Sequence, residues 1–359
     1  MNLNLKPKSE CKYDAVSLGE VMLRLDPGEG RIRTARSFRA WEGGGEYNVI
    51  RALRKCFKMN TAVITAFADN EVGKLMEDFI LQGGVDTSLI NWKKTDGIGR
   101  ICRNGINFTE RGFGIRGAVG CSDRANTAIA QATPEDFDFD YIFGELGVRW
   151  LHTGGIYAAL SEQSCETVLA AIKAAKKLGL TVSFDPNFRS TLWSFETARD
   201  VLSRYLPYVD VLIGIEPIHV YNADGTDVKD GLTMDPSFED MDRVFKAIDE
   251  QYHMKAIART VRYVHSGSNN SLKAFYYADG KTYESKTLNF EIVDRVGGGD
   301  AFSSGLIYAL MQNDWKHEDI VNFAVASSVM KHAIRGDTNI TSVDQIKRLM
   351  NNASFDVQR

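Results

Sequence analysis

Short β-rich runs alternate with helical stretches along most of this chain, and that rhythm admits few architectures. Residues 61–68 (TAVITAFA) read as a strand, and residues 73–82 as a helix that Gly83-Gly84 ends, since glycine supplies the backbone freedom a helix C-terminus needs. Residues 150–153 read as the next strand. Val168, Leu169, Ile172, Ala175 and Leu178 then recur near the 3.6 period and mark one apolar helix face, closed by Gly179. Strands follow at 180–184 and 209–213, with a helix around 244–248. Residues 15–25 (AVSLGEVMLRL) read as one strand bent at Gly19. Strands alternating with helices of this length predict a doubly wound, mostly parallel sheet covered on both faces.

Residues 20–42 and approximately 94–126 break the pattern. They are rich in Gly, Arg and short β-like runs without helical periodicity, and such insertions in an α/β protein often project as a lid. No repeat or long linker divides the chain, so residues 1–359 are expected to form one catalytic domain with a small lid. Thr133-Pro134-Glu135-Asp136 reads as a helix start, with Thr as N-cap and Pro in the first turn.

Composition narrows the function classes. With 43 Lys and Arg against 47 Asp and Glu, the net charge is −4, which argues against a nucleic-acid partner. No run approaches 18 apolar residues, so no membrane span is expected, and the first residues lack the apolar core of a signal peptide. Five cysteines without a C-x-x-C pair fit reduced thiols in a cytoplasmic protein. The six histidines show no metal-ligand spacing.

Chemistry concentrates near the C-terminus, in Asp294-Arg295-Val296-Gly297-Gly298-Gly299-Asp300. A strand reads over 291–293 and a helix over 301–311, so three glycines stand at a helix start. The first N–H groups of a helix have no internal partner, and the helix dipole adds positive charge there. Glycines let the backbone approach an anion closely. Asp300 would then be a general base beside an anion hole; the motif reads equally well as a glycine turn with an N-capping Asp. Gly280-Lys281-Thr282 resembles the end of a Walker A loop, but Phe275 stands where its first glycine belongs, and no G-x-G-x-x-G occurs.

Asp294-x-x-Gly-x-Gly-Asp300 resembles the C-terminal signature of the ribokinase-like (PfkB) carbohydrate kinases. Gly43-Gly44-Gly45-Glu46-Tyr47-Asn48 is similar to their N-terminal GG-x-x-x-N element, in the right order and about 250 residues upstream. Within the family, Asp185-Pro186-Asn187-Phe188-Arg189 with Leu192-Trp193 resembles the 2-keto-3-deoxygluconate kinases. The resemblance implies a ribokinase-like fold with a β lid, ATP and Mg²⁺ as cofactors, and a sugar acid as substrate. It implies Asp300 as base, with Gly297, Gly298 and Gly299 as the anion hole. On the substrate side it implies Gly44, Asn48, Asn107, Arg124 and Arg189, the two arginines gripping a carboxylate. On the nucleotide side it implies Thr260, Arg262, Ser266, Gly267 and Asn322, with Glu216 serving the metal. It leaves a monovalent cation such as K⁺, and association between copies through the lid, open.

Four departures from the family pattern stand out. Arg295 replaces a common Thr or Pro. Gly298 replaces the usual Ala, which is expected to loosen the loop. Asn107 and Ser122 stand where such kinases often carry tyrosines. Ile215-Glu216-Pro217-Ile218 replaces an Asn-Glu-x-Glu-like element, leaving Glu216 alone to serve Mg²⁺.

Overall fold

The computed structural model describes residue 3 and residues 5–312 and 314–351. Seven parallel strands form the body of the large sheet: β1 (Ala15–Leu18), β4 (Thr61–Ala68), β5 (Ile90–Lys93), β8 (Trp150–Gly154), β9 (Thr181–Asp185), β10 (Val211–Ile213) and β11 (Ala256–Val264). β12 (Asn269–Ala278), β13 (Lys281–Glu284) and β14 (Leu288–Glu291) extend one edge by antiparallel pairing. The order is β13-β12-β11-β10-β9-β8-β1-β4-β5, with β14 also on β12.

A second, four-stranded sheet has the order β3-β2-β6-β7, built from β2 (Met22–Asp26), β3 (Arg39–Gly43), β6 (Gly105–Glu110) and β7 (Val119–Asp123). The run 15–25 is therefore two strands in two sheets, not one bent strand. Gly19, Glu20 and Val21 make the crossing, and alternation alone carries no sign of a change of sheet.

Nine α-helices complete the described residues: α1 (Gly45–Phe57), α2 (Glu71–Gly83), α3 (Gly155–Ala158), α4 (Glu162–Lys177), α5 (Phe195–Ser203), α6 (Phe238–Tyr252), α7 (Gly298–Leu310), α8 (His317–His332) and α9 (Val343–Met350). Their apolar faces separate cleanly. Val168, Ile172, Leu202, Val244 and Phe245 of α4, α5 and α6 pack on one side of the sheet. Ile50, Leu53, Met76, Phe302, Ile307 and Val321 of α1, α2, α7 and α8 pack on the other. β4 is buried at all eight positions, as expected for a strand covered on both faces. The helix read at Thr133 is one 3₁₀ turn, Pro134–Asp136, closed by reciprocal bonds between Thr133 and Asp136.

β1 turns to β4 and β5 on one side, while β8 to β11 are laid down on the other. This reversal opens a crevice at the C-terminal strand ends, where ligands of open α/β sheets bind. The segments after β1, β8, β9 and β10, and the small sheet, border it. No helix among the described residues is long and apolar enough to cross a membrane.

Candidate active site

A cavity of about 520 Å³ occupies the crevice, and α1 and α7 both begin at it. Gly297 adopts the left-handed conformation (φ 79°) and caps α7 with no side chain donating or accepting there. A side chain at Gly297 would collide with the Asp337 carbonyl oxygen, whereas Gly299 has open space before it. The Gly298 amide donates to the Arg295 carbonyl at 3.4 Å, whereas the amides of Gly299 and Asp300, also in the first turn, have no protein acceptor among the described residues, the condition for holding an anion.

Gly298 is packed against a side chain from α8. The His332 ring occupies the space an alanine methyl would need, and Nδ1 of that ring bonds the Ser328 carbonyl at 2.8 Å. Histidine thus packs against the loop at the position where a methyl would otherwise stand. Burial pushes the His332 pKa down to about 4, so the ring is neutral at physiological pH.

Asp300 lies in the first turn of α7 and lines the cavity. Asn48 of α1 donates from Nδ2 to Asp300 Oδ2 at 2.7 Å, so the two glycine motifs, 252 residues apart, meet in one hydrogen bond. Burial raises the Asp300 pKa to about 7. The Asn48 bond and Arg189 oppose that rise, while Asp185 and Asp337 add to it. A carboxyl titrating near neutrality is suited to take a proton from a hydroxyl. Asp185, at the end of β9, is likewise raised by burial, to about 6.

Gly44 permits the close approach of α1 to the crossing between β1 and β2, because a side chain there would strike the Glu20 carbonyl oxygen. Beneath the α1 start lies Glu46, fully enclosed, with Oε1 lacking a partner. Burial lifts its pKa to about 8, so it carries its proton at neutral pH. Asn107 lines the cavity and bonds both Thr109 and Ser122.

Five arginines line the cavity, in two electrostatic states. Arg24 is completely buried and bonds Asp337 at 2.5 Å and Asp294 at 3.0 Å. Arg124 donates from Nε and Nη2 to Glu20 Oε2, at 2.9 and 2.5 Å. Its charge is thus met by the Glu20 carboxylate while the residue still lines the cavity. Arg189 contacts only the carbonyls of Asn187 and Phe188. Arg262 has no ion pair among the described residues, and Arg295 leaves Nε and Nη2 buried without a hydrogen bond. Burial, then Arg295 and Arg189, push the Arg262 pKa down, as unneutralised like charges do.

A smaller cavity, about 250 Å³, adjoins the first and shares Asp185, Asn187 and Gly299 with it. Thr260, Ser303 and Glu216 line it. Burial raises the Glu216 pKa, and Lys229 opposes the rise. Ser266, Gly267 and Asn322 line neither cavity. Ser266 Oγ accepts from the amides of Ser268 and Asn269, and Gly267 N–H donates to the Gly114 carbonyl. Asn322 ties the Lys286 amide to α8. Their polar groups serve turns and strand–helix links.

No group of three or more His, Cys, Asp or Glu able to hold a metal occurs among the described residues. A hydrated Mg²⁺ needs less, one or two carboxylates plus phosphate oxygens. Glu216 and Asp185 on the smaller cavity meet that need.

Sequence reasoning missed Arg24, Glu46 and Asp337. Arg24 and Asp337 are set by long-range pairing and Glu46 by burial, for which no local pattern exists.

Residues 12–342 match the model of the pfkB family carbohydrate kinases. The chain is 27% identical to a 2-dehydro-3-deoxygalactonokinase of Haloferax volcanii over 96% of its own length and 99% of that protein's. It is 26% identical to a 5-dehydro-2-deoxygluconokinase of Clostridium perfringens, covering 94% and 93%. The fold superposes on a 2-dehydro-3-deoxygluconokinase from Thermotoga maritima with a TM-score of 0.83 and 32% identity, over 94% of this chain and 99% of that one. With the uncapped glycine helix tip, the Asp300–Asn48 contact and a match over most of its length, the chain belongs to the pfkB family of carbohydrate kinases.

Proposed function

We propose that the protein transfers the γ-phosphoryl group of ATP to the terminal C6 hydroxyl of a keto-deoxy sugar acid, 2-keto-3-deoxy-gluconate or a close relative. The observation that carries this reading is a carboxylate titrating near 7 at an uncapped helix tip, in a cavity also holding cations that no protein carboxylate neutralises. The names of the relatives add support, since each compared kinase acts on a dehydro-deoxy sugar acid.

The nucleotide enters the smaller cavity, with Thr260 beside it, and the sugar acid the larger. The two meet at Asp185, Asn187 and Gly299. Asp300 takes the hydroxyl proton as the sugar oxygen forms a bond to phosphorus and the bond to ADP breaks. The amides of Gly299 and Asp300 stabilise the spreading negative charge. Asn48 fixes the base, and Arg189 receives the substrate carboxylate through its planar fork. Mg²⁺, held by Glu216 with Asp185, would neutralise phosphate charge. The small sheet covers the sugar and excludes water.

A charge census agrees with an acid substrate. Three unmatched guanidinium groups, those of Arg189, Arg262 and Arg295, face the cavity. Mg-ATP and one carboxylate together bring about three negative charges.

Steady-state kinetics over sugar acids and matched neutral sugars tests the reading. The expected kcat/KM for the acid exceeds that for the neutral ketose by about 10²-fold, the worth of a charged bidentate contact. Equal rates on a neutral sugar would make the protein a neutral-sugar kinase.

A further inference from the structure

Arg295 lies in the connection between β14 and α7, two residues before the glycine that opens the anion hole. Its Nε and Nη2 are enclosed yet bond nothing, and no other arginine lining the cavity leaves two buried nitrogens in that condition. Two buried guanidinium nitrogens without an acceptor are costly, and on a half-buried arginine at the cavity they call for an anionic ligand. Arg262 stands beside it on β11, two residues after Thr260. Side chains two apart on a strand share a face, so Arg262 continues the line from the nucleotide side toward the glycine loop. His332, whose ring packs on Gly298, feels both arginines. The two cations therefore border the loop at which the phosphoryl group changes partners.

We infer that Arg295, backed by Arg262, grips the oxygens of the γ-phosphoryl group and holds them while that group passes to the sugar hydroxyl. This inference rests on the kinase reading above and adds a residue to it. The amides of a helix tip supply donors of fixed position and partial charge. A guanidinium adds a full charge and two parallel donors, which follow the phosphoryl oxygens as their charge grows. No covalent bond to Arg295 forms or breaks. The proton goes to Asp300, and the leaving group is ADP. Arg189 lies on the segment after β9, whereas Arg295 adjoins the glycine loop itself, which assigns the substrate carboxylate to Arg189 and the phosphoryl group to Arg295.

The test uses the full chain with Arg295→Met and Arg295→Lys, and two readouts. First, calorimetry measures binding of Mg²⁺ with ADP and with a methylene-bridged, non-transferable ATP analogue. Arg295→Met is expected to weaken the triphosphate by about tenfold or more and ADP by less than about threefold. Equal losses, or none, would overturn the inference. Second, kcat is compared on a keto-deoxy sugar acid and the matched neutral ketose. Arg295→Met should lower kcat on both by the same factor, about 10²–10³, with Arg295→Lys intermediate. A loss confined to the acid would move Arg295 to the carboxylate and sink the proposal. If the wild-type protein phosphorylates neither sugar, the functional reading falls, while the calorimetric comparison still decides the role of Arg295. Should Arg295→Met not fold, Arg295→Lys carries both readouts, and wild-type values from it would equally refute the idea.

Discussion

Two walls of one cavity carry arginines in opposite circumstances. On the first, Arg24 is enclosed by Asp26, Asp294 and Asp337, and Arg124 is closed off by Glu20. On the second, Arg189, Arg262 and Arg295 face the cavity without carboxylate partners, next to Asp300, whose own carboxylate is met by a neutral amide. Matched charge fastens the small sheet to the catalytic loop, since Arg24 comes from β2 while Asp294 and Asp337 flank α7 and α8. Unmatched charge is held ready for a ligand. The same residue type is thus neutralised on one wall and left unpaired on the other, and distant partners decide which.

The sharpest way to break this comparison is Asp300→Asn. On the unmatched wall, turnover should fall by about 10²–10⁴-fold with both ligands still binding, measured by ADP release and calorimetry. The variant should also be more stable at pH 8. The folded carboxyl titrates at about 7 against an ordinary 3.8, so the folded state holds a proton that the unfolded chain releases. That contribution to stability shrinks as pH climbs from about 4 to about 7, and Asn removes the cost. A higher Tm at pH 8 and none at pH 3.5 is the expected pattern; unchanged turnover would remove Asp300 from the base role.

Next comes Arg24→Met on the matched wall. It leaves Asp294 and Asp337 buried without a counter-charge, and the loss should reach about 3–5 kcal/mol in denaturant unfolding. Arg295→Met, which strands no carboxylate, should leave that midpoint nearly unchanged. Equal destabilisation by the two would erase the distinction between the walls.

Asn48→Ala has the smallest and most specific effect. Its amide stabilises the charged form of Asp300, so its removal should raise the base's pKa. The acid limb of kcat/KM, expected near pH 7 in the native enzyme, should then move upward by about one unit. A limb that stays in place would detach Asn48 from the base.

The legible part of this protein is its local chemistry. The glycine loop with Asp300 and the Gly44–Asn48 element could be read because a helix start, a close approach and a carboxylate are encoded within a few residues. Strand–helix alternation gave the parallel sheet for the same reason. Arg189 was legible only through resemblance. Arg124, expected at the substrate through resemblance, lines the cavity, but its pairing with Glu20, 104 residues away, is not legible, since nothing in either segment announces the other. The strand at 15–25 was read as single because alternation records which face is buried, not which sheet is joined. Ser266, Gly267 and Asn322 carry polar groups that a loop motif offers to a ligand but that turns and neighbouring elements take up here.

Chain order alone carries the periodicities and the two glycine motifs, with Asp300 as a candidate base by resemblance, since each depends on interactions spanning a few residues. Tertiary structure decided which charges are neutralised, that His332 fills the space beside Gly298, and that Asp300 titrates near 7. Those properties depend on burial and on partners hundreds of residues away, and electrostatic free energy is set by distance and dielectric surroundings, neither of which is written in chain order.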